Sequence, residues 1–131
     1  MAAGLLDTSV VIDWHDPSIA DKLPDEIAIS AITAAELTAG PLLATTPAEA
    51  ARRQSRLQEV ESLLEPIPFD GRASRSYGLV VAAVVSAGRK PRSRFADLLI
   101  AATAHANGLD LYSRNPDDFQ GLADLIRVVA V

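Results

Sequence analysis

The sequence predicts an α/β fold, with a central, mostly parallel sheet of about four to five strands flanked by helices. Three observations predict it. Short apolar runs alternate along the chain with longer segments of helical period. Helix caps and turn residues separate the two kinds of segment. The 131 residues are 49% hydrophobic and 22% charged, a globular composition whose length suits one domain, 1–131, with one core.

Gly4-Leu-Leu-Asp7-Thr-Ser-Val-Val-Ile12 opens the pattern. Leu5 and Leu6 end a buried strand, and Val10 to Trp14 form a helix or turn packed on it. The polar segment from Asp16 to Glu26 holds a short helix before Pro24. Ile27 to Ile32 reads as the second strand. Thr33-Ala-Ala-Glu36 has the spacing of a capping box and opens a helix that Gly40-Pro41 ends or kinks. Thr46-Pro47-Ala-Glu49 is a second capping box, and its helix runs to about Leu64, with Ala50, Leu57, Val60 and Leu64 on one face. Ile67-Pro-Phe69 is a short strand near an edge, because Pro68 cannot donate to a ladder. Asp70 caps a helix reaching about Ala87, with Ala73, Tyr77, Val80, Val81 and Val84 on its apolar side and Gly88 as its stop. Phe95 to His105 is a helix apolar nearly all round, hence central, and Asn107-Gly108 closes it. Leu109 to Ser113 and Leu125 to Val131 are the last two strands.

Several function classes are excluded. The chain has no cysteine, so a disulfide framework, a zinc-thiolate centre and a cysteine nucleophile are all ruled out. Its two histidines, His15 and His105, sit in unrelated contexts without a zinc or serine partner pattern. No apolar stretch is long enough to span a bilayer, and no basic segment precedes an apolar one at the N-terminus. The expected setting is cytoplasmic, with no membrane partner. A net charge of −5 is unlike that of a generic nucleic-acid binder. A carboxylate cluster that takes up divalent cations makes a chain look more acidic than its working form, however.

The chemistry lies in acids placed at element ends. Asp7 follows the first strand, and a carboxylate there needs solvent, hydrogen bonds or a cation. It can equally cap the next helix. Glu36 follows the second strand, where a capping-box role competes with a site role. Asp97 stands in the first turn of the apolar helix, where the helix dipole favours it and burial asks for a partner. Arg114-Asn115-Pro-Asp117-Asp118-Phe119 follows another strand and brings three oxygen-bearing side chains within four residues. In a parallel sheet the strand carboxyl ends share one edge, so these groups can converge. Carboxylates in one cleft repel unless a cation is present, and hard oxygen ligands select Mg2+ or Mn2+. Such a site can activate water for an in-line phosphodiester displacement. The basic run Arg89-Lys90-Pro-Arg92-Ser-Arg94 precedes Asp97 and either holds a phosphate backbone or solubilises a loop. Arg52, Arg53 and Arg56 offer the same choice on the helix after Thr46, where a solvated face accounts for them.

Taken together, Leu6-Asp7-Thr8-Ser9-Val10, Ile32-Thr-Ala-Ala-Glu36-Leu, Asp97-Leu-Leu-Ile-Ala-Ala-Thr-Ala and Ser113-Arg-Asn115-Pro-Asp-Asp118-Phe119 resemble the PIN domain, and in particular the VapC-type ribonuclease toxins of bacterial toxin–antitoxin pairs. The motifs lie in family order and cover nearly the whole chain. The resemblance implies a PIN-like three-layer sandwich and a magnesium-dependent endoribonuclease in which Mn2+ can substitute. It implies Asp7 and Asp97 as principal metal ligands, with Glu36 completing the acidic site directly or through water. It implies a fourth catalytic group in the last segment, with Asn115 at one family position and Asp118 at the other. Ser9 and Ser113 are implied as supporting hydroxyls, Ser113 replacing a more usual threonine. Arg89, Lys90, Arg92, Arg94 and Arg114 are the candidate RNA contacts. The implied partners are structured RNA such as transfer or ribosomal RNA, a second copy of the chain, and a cognate VapB-type antitoxin.

Two other readings of the same acids remain. One is a phosphohydrolase of small phosphate esters with Asp7 as nucleophile, although Thr8 and Ser9 stand where an Asp-x-Asp pattern would continue. The other is a catalytically silent PIN-like module that binds RNA or metal.

Overall fold

The computed structural model describes residues 3–131, and in it four strands form one sheet in the order β2-β1-β3-β4. The strands are β1 (Ala3–Leu6), β2 (Glu26–Ala28), β3 (Asp110–Ser113) and β4 (Val128–Ala130), and every neighbouring pair is parallel. Parallel neighbours need long crossovers, and helices supply them. They are α1 (Thr8–Ile12), α2 (Pro17–Ala20), α3 (Ala31–Leu43), α4 (Pro47–Leu63), α5 (Gly71–Ser86) and α6 (Phe95–Ala106). Two 3₁₀ turns, Pro91–Arg94 and Pro116–Phe119, complete the chain.

The period-two alternation of strand side chains divides the interior into two cores. Leu5 and Leu111 are fully buried on one face with Val80 and Val84 of α5 and Leu98 and Ala101 of α6. Leu6 and Tyr112, one residue further along each strand, face the other side and pack with Val10, Val11, Leu37 and Val60 from α1, α3 and α4. Sheet and two helical layers make the three-layer sandwich. Each buried Leu or Val contributes about 1.5–3 kcal/mol relative to an exposed one. A one-residue slip of β1 would exchange Leu5 and Leu6 between cores, so the register is strongly specified. Gly4 allows β1 and β3 to sit close together: a Cβ there would overlap the Tyr112 ring and approach Pro24 Cγ to 2.9 Å.

The predicted caps after Thr46 and Asp70 form. Thr46 Oγ1 accepts from Glu49 N at 3.1 Å, and Asp70 Oδ1 accepts from Ala73 N at 3.0 Å. Gly108 takes φ of +63° beyond α6, as the Asn-Gly stop requires.

Five boundaries differ from the sequence reading. The second strand is Glu26–Ala28, not Ile27 to Ile32, because Ser30 caps α3 by accepting from Thr33 N at 3.1 Å. The capping box at Thr33–Glu36 therefore does not form; Thr33 lies inside the helix and Glu36 is free for another partner. Pro41 does not end α3, which runs on to Leu43. The short strand at Ile67 is reduced to one parallel bridge with Ser30, consistent with Pro68 beside it, and the last strand begins only at Val128 because Leu125 N and Ile126 N turn back onto Leu122 O. No helix among the described residues is long and apolar enough to cross a membrane.

Candidate active site

The carboxyl ends of β1 and β3 are neighbours because Leu6 pairs with Tyr112. Asp7 leaves β1 with its N–H still donating to Tyr112 O at 3.0 Å, so the aspartate is fixed at the edge of the sheet. Its carboxylate is 5% exposed and caps α1, Oδ1 accepting from Val10 N at 3.1 Å. The same oxygen accepts from Ser9 Oγ at 2.5 Å. Ser9 Oγ in turn accepts from Arg114 N at 3.2 Å, which ties the segment after β3 to Asp7. The helix-cap reading of Asp7 thus holds, and the capping carboxylate stands at the carboxyl end of β1.

Glu36 enters from α3. Its Oε1 accepts from Thr8 Oγ1 at 2.6 Å, and Thr8 Oγ1 lies 3.1 Å from Thr33 Oγ1. A hydroxyl has one proton to give. With Thr8 donating to Glu36, Thr33 must donate to Thr8, and Ser30 Oγ lies 3.4 Å behind Thr33. The cap of α3 therefore continues into a chain of hydroxyls that holds Glu36. The sequence places Thr8 beside Asp7 but not its partnership with Glu36, which spans 28 residues.

Asp97 stands in the first turn of α6, half-buried. Burial first, then the charges of Asp118, Asp7 and Glu36, push its carboxyl up to about 6, while Arg94 pulls it down. The three acids that act on Asp97 come from other parts of the chain: Asp7 from the end of β1, Glu36 from α3 and Asp118 from the turn after β3. Asp118, in the turn Pro116–Phe119, is the member drawn from the last segment, and it is ion-paired with Arg94. Asn115 is exposed, with its backbone N–H donating to Ser113 Oγ at 2.9 Å. Ser113 is fully buried and shapes the turn toward Asp118.

The candidate RNA contacts separate into groups. Arg89 donates to the side chain of Gln120, and Arg94 is paired with Asp118. Lys90 and Arg92 are exposed. Arg114 is held between Asp13 at 3.1 Å and Asp16 at 3.7 Å. Arg52 and Arg53 pair with Glu49, so most of that cluster is a salt-bridged helix face. The histidines are also accounted for: His15 bonds Glu59 at 2.7 Å and His105 bonds Ser76 at 2.8 Å. A recess of about 350 Å³ lined by Thr8, Glu36, Arg53 and Arg56 lies on one side of the acids. A second, of about 220 Å³, is lined by Arg89, Lys90, Ser93, Arg94 and Asp118.

Among the described residues no three acids or histidines stand at mutual ligand spacing. Each acid other than Asp97 is instead turned to a partner: Ser9 and Val10 for Asp7, Thr8 for Glu36, Arg94 for Asp118. The donor chemistry nevertheless fits a hard divalent cation, since every convergent side chain is a carboxylate and their repulsion falls on Asp97. Asp7, Asp97 and Glu36 are the residues that would hold it.

The fold is a parallel α/β sandwich with Asp7 at the carboxyl end of β1 and Asp97 in the first turn of the buried helix α6. The chain belongs to the PIN domain family, whose sequence model matches residues 4–125. It is similar to Ribonuclease VapC5 of Mycobacterium tuberculosis, with 36% identity over 134 residues covering 97% of this chain and 96% of that protein. Ribonuclease VapC4 of the same organism is 34% identical over 126 residues, covering 92% of each chain. Among solved structures, the VapBC-5 member of the VapBC family of toxin-antitoxin systems, from Mycobacterium tuberculosis, superposes with a TM-score of 0.81 at 32% identity, covering 100% of both chains. VapBC2 from Rickettsia felis, bound to a DNA fragment from its promoter, superposes with a TM-score of 0.77 at 27% identity, covering 98% of both.

Proposed function

We propose that this chain is a VapC-like endoribonuclease toxin, acting on structured RNA and neutralised by a cognate VapB-type antitoxin. What supports the reading is the adjacency of the carboxyl ends of β1 and β3, which carry Asp7 and the segment of Asp118, with Glu36 held by Thr8 next to Asp7 and Asp97 heading α6, its carboxyl raised by burial and by the other three acids. Its relatives' names and its structural neighbours support the same class of activity.

Asp7, Asp97 and Glu36 would hold Mg2+ (or Mn2+ in its place), which would supply charge neutralisation and Lewis acidity for phosphodiester hydrolysis. The chain's own residues do the rest. Asp7 is held rigid by the α1 cap and by Ser9, so it fixes one side of the centre. Glu36, oriented by the Thr8 hydroxyl, or Asp118 takes the proton of the attacking water. Asp118 completes the acidic set, with Ser113 and Asn115 shaping the turn that carries it. Arg89, Lys90, Arg92 and Arg94 hold phosphates that flank the scissile bond. Arg114, committed to Asp13 and Asp16, fixes the entry to α2 rather than RNA. Transfer or ribosomal RNA is the substrate class, a homodimer the working toxin, and the cytoplasm its location.

The test is cleavage of total RNA by purified, antitoxin-free protein with Mg2+, Mn2+ or EDTA, with mapping of the 5′ ends. Discrete cuts that vanish with EDTA and with Asp7→Asn are expected. A folded protein that binds Mn2+ but cuts no RNA would be a silent module, and turnover of a small phosphate ester through phosphorylated Asp7 would make it a phosphohydrolase.

A further inference from the structure

Arg94 stands at a border. On one side its guanidinium is paired with Asp118, the acid that weighs most on Asp97 after burial. On the other it lines the recess of about 220 Å³ with Arg89, Lys90, Ser93 and Gln120. Arg89 reaches only the neutral side chain of Gln120, so that recess has a positive charge not cancelled by an acid of its own. The one acid lining it is Asp118, and Arg94 already holds it.

A guanidinium cannot saturate Asp118 and serve a phosphate in the recess at full strength. A divalent cation among the acids changes this balance. It neutralises the carboxylates, repels the nearby guanidinium and weakens the Arg94–Asp118 pair. The pair is more than a quarter exposed on both sides, with side-chain exposures of 37% and 28%, so breaking it leaves no desolvated charge behind. Arg94 also sits at the end of a 3₁₀ turn, directly before α6, and is itself only partly buried.

We propose that Arg94 is a positioning residue with two exclusive partners: it neutralises Asp118 in the cation-free protein, and on cation binding it turns into the adjoining basic recess to clamp an RNA phosphate with Arg89 and Lys90. This rests on the metal-dependent ribonuclease reading above. It goes beyond a list of basic contacts, because it makes firm RNA binding conditional on cation entry. The cation-free protein then carries its own counter-charge at the acidic site and grips RNA weakly.

Two readouts test it, neither of them activity. The first is Mn2+ affinity by electron paramagnetic resonance for the wild type, Arg94→Gln, Asp118→Asn and the double variant. Arg94→Gln is expected to bind Mn2+ about fivefold more tightly, since the competing cation is gone. In the Asp118→Asn background the same change should have little effect. The second is anisotropy with a fluorescent 20-nucleotide oligouridylate, in EDTA and in Ca2+. Arg94→Gln should cost about tenfold in RNA affinity with Ca2+ and under twofold in EDTA, with Arg94→Lys recovering part of the loss. A merely structural arginine would lower Mn2+ affinity and weaken RNA equally in both conditions, and that outcome overturns the proposal. If the wild type binds no Mn2+ at all, the ribonuclease reading itself fails; Mn2+ binding unchanged by Arg94→Gln removes the two-partner role alone. Circular dichroism confirms that each variant is folded.

Discussion

Asp97→Asn should make the metal-free protein more stable while destroying its activity. The Asp97 carboxyl is moved from 3.8 to about 6, chiefly by burial and then by Asp118, Asp7 and Glu36. A raised acid is a liability when ionised. Its contribution favours the fold fully below pH 3.8 and is lost as pH rises through about 6. The ionised form therefore costs about 3 kcal/mol at most, at about 1.4 kcal/mol per pH unit. Asp97 is only half-buried, and solvent screening reduces the cost to about 1–1.5 kcal/mol. Removing the charge at pH 7.5 should raise Tm by about 3–6 °C. At pH 4.5 the carboxyl is largely protonated in the fold but still mostly ionised in the unfolded chain, whose value is 3.8, so the gain should shrink to about a third of its value at pH 7.5. The assay is thermal unfolding by circular dichroism in EDTA at both pH values. Millimolar Mg2+ at pH 7.5 should stabilise the wild type and leave Asp97→Asn unmoved. An equal gain at both pH values, or none at pH 7.5, would refute the account of four acids acting on one another.

Other expectations follow from the same geometry. Gly4→Ala forces a Cβ into the Tyr112 ring and to 2.9 Å from Pro24 Cγ, and should cost about 1–3 kcal/mol in urea unfolding; an unchanged midpoint would show that β1 and β3 tolerate more separation. Asp7→Ala should lose both RNA cleavage and about 1 kcal/mol of stability, because the cap of α1 goes with the carboxylate, whereas Asp7→Asn keeps an acceptor for Val10 N and should lose mainly cleavage. Mn2+ affinity should rise with pH through about 6 with release of about one proton per ion, measurable by calorimetry in two buffers of different ionisation enthalpy; binding flat from pH 5 to 8 would count against Asp97 as a ligand.

The layered architecture and two of the helix caps were legible in the chain because they depend on local chemistry. Thr46 and Asp70 each meet a backbone N–H three residues on, a relation that residue spacing carries directly. At α3 the same rule misled. Ser30 and Thr33 are both good caps, and the true start was decided by tertiary packing: Ser30 is fully buried and bridged to Ile67, so the chain turns there rather than at Thr33. That shift of three residues mattered for function. It took Glu36 out of a capping box, where it would have faced its own backbone, and left it to meet Thr8.

The site divides along the same line. Asp7 and the segment after Ser113 had to be neighbours once β1 and β3 were parallel and adjacent, since the pairing of Leu6 with Tyr112 brings both strand ends to one edge. Strand order thus carries the acids together whatever their side chains do. The choice among Asn115, Asp117 and Asp118 is different in kind. A 3₁₀ turn rotates successive residues by about 120°, so only one in three faces a given direction. Which one faces Asp97 depends on where the turn begins, and that is set by Ser113 Oγ accepting from Asn115 N and by Phe119 entering the core at 3% exposure. With Phe119 fixed inward, Asp118 falls beside α6 and within reach of Arg94, 24 residues earlier. The counter-charge is therefore written in no local motif. It follows from one aromatic anchor and one serine hydroxyl that together aim a carboxylate at an arginine on another element.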